Sequence, residues 1–118
     1  MSNAAKAYAK TAQTTASPRE IEAQALLKAA NQLQDVLNDT GERMQAALMF
    51  NRKLWSIFLS DALRDENPQP LEIRQNIANI GVFVMTQTAA LQVSPQPGYL
   101  QSLIDINRNI AAGLSGRA

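Results

Sequence analysis

The stretch richest in groups that could bind or react is Phe50-Asn51-Arg52-Lys53-Leu54-Trp55-Ser56-Ile57-Phe58. It carries the single tryptophan of the chain beside a basic pair. Trp and Arg dominate the energetics of many protein interfaces, so Trp55 and Phe58 could anchor a partner with Arg52 at its edge. The competing place for Trp55 is the core, where the largest apolar side chain of a small protein is ordinarily packed. Asn51 and Asn107 pose the same question. Each interrupts an otherwise apolar face, and each is followed by arginine, as Asn51-Arg52 and Asn107-Arg108. A buried amide costs about 1–3 kcal/mol unless it is hydrogen-bonded. The two amides therefore either fix helix register inside the protein or meet the backbone of a bound peptide.

Chemistry of other kinds finds little support. Asp61 and Asp65 lie four apart and share a helix face, with Glu66 adjacent. Three oxygen ligands at a helix end make a weak metal signal, and a solvated helix end is the simpler reading. The chain has no Cys and no His, which removes thiolate sites, the commonest zinc ligand and the commonest general base. Ser and Thr are plentiful but have no base placed to activate them. No Gly-rich phosphate loop is present. No catalytic residue, cofactor or metal is expected, and the protein is not read as an enzyme. Eleven basic against ten acidic residues give a net charge of +1. Phosphate contacts need Lys and Arg in excess, so direct nucleic-acid binding is not expected. The start of the chain lacks the apolar core of a secretory signal. The longest uncharged run, Ile77 to Val93, is broken by Asn79, Thr86, Gln87, Thr88 and Gln92. Membrane insertion is not expected, and the location expected is the cytoplasm.

The elements that position these residues follow from the punctuation. A chain of 118 residues fits one domain. Residues 1–16 hold one aromatic, Tyr8, and almost no large aliphatics. They read as a flexible N-terminal arm, ordered only against a partner, ahead of a single helical domain over 17–118. Ser17-Pro18-Arg19-Glu20 is a capping box with proline at the first helical position. Leu26, Ala30, Leu33 and Leu37 then recur at helical steps, which predicts a helix over 18–38. Asn38-Asp39-Thr40-Gly41 stops it, unless the helix tolerates Gly41 and merges with the next. The second helix is predicted over 42–64, with Met44, Ala47, Leu48, Leu54, Trp55, Phe58, Leu59 and Ala62 on a broad face. Two prolines close it, in Asn67-Pro68-Gln69-Pro70. The third is predicted over 71–92 on Ile73, Ile77, Ile80, Val84 and Leu91. Val82 and Phe83 widen that stripe, as if the helix were buried on more than one side. The fourth is predicted over 98–113 on Leu100, Leu103, Ile104, Asn107, Ile110 and Ala111. No strand pattern appears. The fold class is all-α, a small antiparallel bundle of about four helices.

These blocks carry a resemblance that spans nearly the whole chain. In order they are Ala7-Tyr8, Ser17-Pro18-Arg19-Glu20-Ile21-Glu22-Ala23, Ala47-Leu48 with Asn51-Arg52-Lys53-Leu54-Trp55, Asn67-Pro68-Gln69-Pro70, Ile73-Arg74-Gln75-Asn76-Ile77 and Leu103 through Leu114. The sequence resembles the FlaF family of flagellar biosynthesis regulators of alphaproteobacteria. The resemblance implies a cytoplasmic factor that binds flagellin and supports its production or export as a secretion chaperone. The alternative it implies is a regulator of flagellin synthesis, acting on flagellin messenger RNA or its translation with a second regulator, FlbT. The candidate partner-binding residues are Asn51, Arg52, Leu54, Trp55, Phe58, Arg74, Asn107, Arg108 and Ile110.

Overall fold

A computed structural model of the chain describes residues 17–39 and 41–116. The expected N-terminal arm over 1–16 lies outside the described residues. Among the described residues four helices follow one another: α1 Pro18–Asp35, α2 Glu42–Ala62, α3 Leu71–Val93 and α4 Pro97–Leu114. Among the described residues there is no strand.

Local chemistry sets the boundaries. The Ser17 hydroxyl accepts the Glu20 N–H at 3.1 Å, and Pro18 opens α1. One orphan donor of the first turn is thereby satisfied. Helix α1 stops at Asp35, three residues short of the expected 38. The chain turns at Val36, whose side chain is buried in the core. Merger of α1 with α2 does not occur. Gly41 has φ +99° and ψ −142°, a backbone region essentially closed to side-chain-bearing residues. Helix α4 begins at Pro97, one residue earlier than expected, because proline suits a first helical position.

Helix α1 packs mainly on α4, and α2 mainly on α3, giving two layers of two helices. The start of α1, the end of α2, the start of α3 and the end of α4 meet at one end of the bundle. Neighbouring helices therefore alternate in direction. The core between the layers holds Leu26, Leu33, Met44, Leu48, Trp55, Val84, Leu91, Leu100, Leu103 and Ile104, all with 1% or less of their surface exposed. Leu26, Ala30 and Leu33 occupy the face expected of α1, whereas Leu37 falls in the turn and is half-buried.

The reading of α3 needs correction. It was expected to be buried on more than one side, yet only Gly81, Val84, Thr88 and Leu91 are buried. Val82 and Phe83 are 56% and 48% exposed, and Ile73 is 43% exposed. Helices α3 and α4 touch only lightly, and among the described residues no helix covers the second apolar side of α3.

Because a Cβ at Gly41 would meet no atom within 4 Å, Gly41→Ala isolates backbone strain from clash. The substitution is expected to destabilise the fold by about 1–3 kcal/mol in urea unfolding, with the denaturant slope unchanged.

Candidate functional site

Asn51 and Trp55 stand one turn apart on α2 and point to the same buried spot. The Trp55 indole N–H donates to Asn107 Oδ1 on α4 at 2.9 Å. The Asn107 amide donates to Asn51 Oδ1 at 2.7 Å. Asn51 Nδ2 in turn lies 3.5 Å from the Thr88 hydroxyl on α3, a weak contact by length. That hydroxyl donates to the Val84 carbonyl at 2.6 Å. All four residues have 0% exposure. Among the described residues no buried side-chain polar atom lacks a partner. Phe58 adds its ring edge-on to Trp55, with centroids 5.5 Å apart. The two alternatives left open by the sequence thus have a geometric outcome. Trp55 is core, and Asn51 and Asn107 satisfy each other. None of the three exposes its side chain to solvent, although Trp55 forms part of the wall of the recess described next.

Around this network the helix ends form a recess of about 910 Å³. Leu26, Trp55 and Phe58 line it from within, Ile73 and Ile77 from α3, and Ile110 and Leu114 from α4. A shallower recess of about 410 Å³ lies between α3 and α4, lined by Asn79, Ile80, Phe83, Ile106, Asn109 and Ile110. The two share Asn109 and Ile110 and so adjoin, and the shallower one is an apolar groove along the α3–α4 seam. Of its residues, sequence reasoning named Ile110 a candidate contact and set Ile80 on the packed stripe of α3. The signal available was the breadth of the α3 stripe, which exceeds what a single packed face needs.

The remaining candidates divide by position. Phe58, Arg74 and Ile110 line the end recess. Arg74 spans from α3 to the end of α2, donating to the Ala62 carbonyl at 3.0 Å and the Arg64 carbonyl at 2.6 Å. It thereby satisfies orphan carbonyls at a helix terminus whose dipole favours a cation. Arg52 is elsewhere, exposed, with its guanidinium 3.3 Å from Gln92 Oε1 near the end of α3. Leu54 is half-buried against the core, and Arg108 is exposed. Neither lines the groove.

The rim is held by a tied-down connection. Asn67 donates to the Asp61 carbonyl and carboxylate at 2.9 and 3.0 Å, and its own side-chain oxygen accepts the Gln69 N–H at 2.9 Å. Arg64 pairs with Asp61 at 2.9 Å, and Arg19 donates to Gln69 at 2.8 Å. Asp61, Asp65 and Glu66 do not gather round a point. Among the described residues no three His, Cys, Asp or Glu side chains could hold one metal ion. Glu22 stands in the recess with its carboxyl held above the ordinary carboxylate range. Burial is the larger cause, the nearby Asp61 charge adds to it, and Arg19 opposes it.

A family model described as Flagellar protein FlaF matches residues 4–114. No curated protein and no solved structure matches the chain.

Two outcomes are expected of the site. Asn107→Leu leaves the Trp55 indole N–H and an Asn51 oxygen unpartnered in the core. It should cost about 2–6 kcal/mol in chemical denaturation, since each orphaned group costs about 1–3 kcal/mol. Glu22 contributes stability below the ordinary carboxyl range and loses it as pH rises through its raised value. Glu22→Gln should therefore melt slightly higher than the parent at pH 7, by less than about 0.5 kcal/mol in this solvent-screened position. The difference should close as pH falls toward about 4.

Proposed function

The chain belongs to the FlaF family of flagellar proteins, and on that premise we propose that it binds flagellin in the cytoplasm as a secretion chaperone. The single observation that carries this reading is the apolar groove between α3 and α4. Monomeric soluble proteins seldom leave a contiguous apolar surface open without a partner for it. Ile80 and Phe83 on one side and Ile106 and Ile110 on the other would receive the apolar face of a third helix. Flagellin ends are helical and amphipathic, and would polymerise or aggregate if unguarded. A groove of this kind would cover such a helix until export.

The energetics follow from the lining. Apolar burial contributes roughly 25 cal/mol per Å² before the costs of association. Asn109, shared by both recesses, supplies a polar group that could orient the guest. Candidate contacts are the groove residues together with Phe58 and Arg74, while Arg108 and Arg52 stand apart as exposed cations.

Calorimetric titration with monomeric flagellin tests the reading. Binding at micromolar or tighter concentration is expected, with only a modest loss when salt rises several-fold. Phe83→Ser, at a half-exposed position, should weaken binding at least tenfold, about 1.4 kcal/mol. Its melting temperature should stay close to the parent's. A parallel titration with flagellin leader RNA should show no tight complex. No flagellin binding at micromolar concentration, with tight RNA binding that collapses in salt, overturns the proposal in favour of the messenger-RNA regulator.

A further inference from the structure

Helix α3 carries two faces. One, on Gly81, Val84, Thr88 and Leu91, is buried against α2. The opposite one, on Leu71, Gln75, Val82, Thr86, Ala89 and Val93, is exposed throughout. The outer side of a surface helix is ordinarily charged and solvated, yet no charged residue occurs from Gln75 to Val93. Its largest apolar side chains, Leu71, Val82 and Val93, are 63%, 56% and 88% exposed. We propose that this face is a homodimer interface, on which α3 of a second copy of this chain packs antiparallel about a two-fold axis at Val82.

The order of the residues identifies the occupant. Leu71 and Val93 stand eleven residues either side of Val82. Eleven residues make about three helical turns, so all three fall in one line along α3. A two-fold axis through Val82 then sets Leu71 on Val93 of the second copy, and Val82 on its own counterpart. It also sets Gln75 on Ala89 and Thr86 on Ala78, so each longer side chain meets a small one. Such self-complementarity is what an isologous contact requires. A parallel pair would instead oppose Gln75 to Gln75 and Ala89 to Ala89, crowding one layer and emptying another. It would also align the two helix dipoles, which the antiparallel pair opposes.

Charge does not oppose the pairing. Glu72 and Arg74 stand at the start of α3, beside the Arg64-Asp65-Glu66 run that Arg74 reaches through the Arg64 carbonyl. Arg52 stands at the far end, 3.3 Å from Gln92 Oε1. The exposed Asp105 and Arg108, one of each sign, lie across the groove on α4. The antiparallel pair brings Arg52 to the mixed acids and bases at the start of the second α3. Apolar burial and shape therefore carry the contact. One helix from each copy makes a small interface, below about 1,200 Å², and interfaces of that size are transient. The six residues of this face line neither recess, so the inference does not rest on flagellin binding.

Sedimentation equilibrium of the full chain, without flagellin, should show monomer passing to dimer as concentration rises through the micromolar range. Val82→Glu sets two like charges together on the axis and should weaken association at least tenfold. Its melting curve should stay near the parent's, because the position is exposed. The chain has no native cysteine, so single cysteines report the register. In a glutathione redox buffer Val82→Cys should cross-link to itself. Leu71→Cys mixed with Val93→Cys should give the mixed dimer in preference to either self-pair. Should Val82→Glu unfold, the cross-links alone decide. A monomer at every concentration overturns the proposal, as does a dimer that Val82→Glu leaves intact. Preferential self-pairing of Leu71→Cys names a parallel pair and overturns it as well. If the chain is monomeric and Val82→Glu abolishes flagellin binding, the face belongs to flagellin instead.

Discussion

The chain of hydrogen bonds from Trp55 through Asn107 and Asn51 toward Thr88 constrains everything around it. It joins three helices, and each of its members is fully buried. Apolar packing alone tolerates small slides, because one methyl contact resembles the next. An amide in a dry core does not. Moving α4 by one residue would swing Asn107 about 100° around its axis and strand the Trp55 N–H and the Asn51 oxygen. Each stranded group costs about 1–3 kcal/mol, against a total stability of about 5–15 kcal/mol for a domain. The network therefore selects one register for α2 against α4, and only a fully satisfied network can do so without weakening the core.

Pinning those helices determines what is left open. With α1 seated on α4 and α3 seated on α2, the two layers close over Leu26, Leu33, Leu48, Trp55 and Leu103. Among the described residues no further helix covers the α3–α4 seam. Ile80, Phe83 and Ile110 line it in consequence, on a frame that the amide network holds fixed. A groove whose walls are already ordered loses less entropy on binding than one assembled around its guest.

Much of this was legible in sequence where the cause is local. Ser17 and Pro18 mark the start of α1, Pro97 the start of α4, and the Pro68–Pro70 pair separates α2 from α3. The apolar steps of α1 and α4 pick out their buried faces. Asn51 and Asn107 announce themselves as polar residues on apolar faces, but spacing cannot say that they meet across the core. Thr88 gave the same signal, standing between Val84 and Leu91 on the α3 stripe, and passed as a mere interruption. The groove was illegible for a deeper reason. A hydrophobic stripe states that a surface avoids water, and not which element covers it. On α3 half the stripe is covered by α2 and half is left open, a division set by tertiary arrangement. Spacing likewise could not say that the Arg74 guanidinium holds carbonyls at the end of α2.

That engagement bears on the kind of partner this surface suits. A polyanion binds by gathering free cations and releasing its counterions. Three arginines surround the end recess, and each already has a partner: Arg19 with Gln69, Arg64 with Asp61, and Arg74 with two carbonyls. Recruiting them to phosphates would open the tied connection around Asn67 and uncap α2. The like-charged Glu22 and Asp61 would repel phosphate from the same recess. An apolar helix meets none of these obstacles, because it needs only the isoleucine walls and leaves the rim as it stands. The order of the rim and the openness of the groove thus favour a protein guest, whose binding would draw on buried area more than on charge.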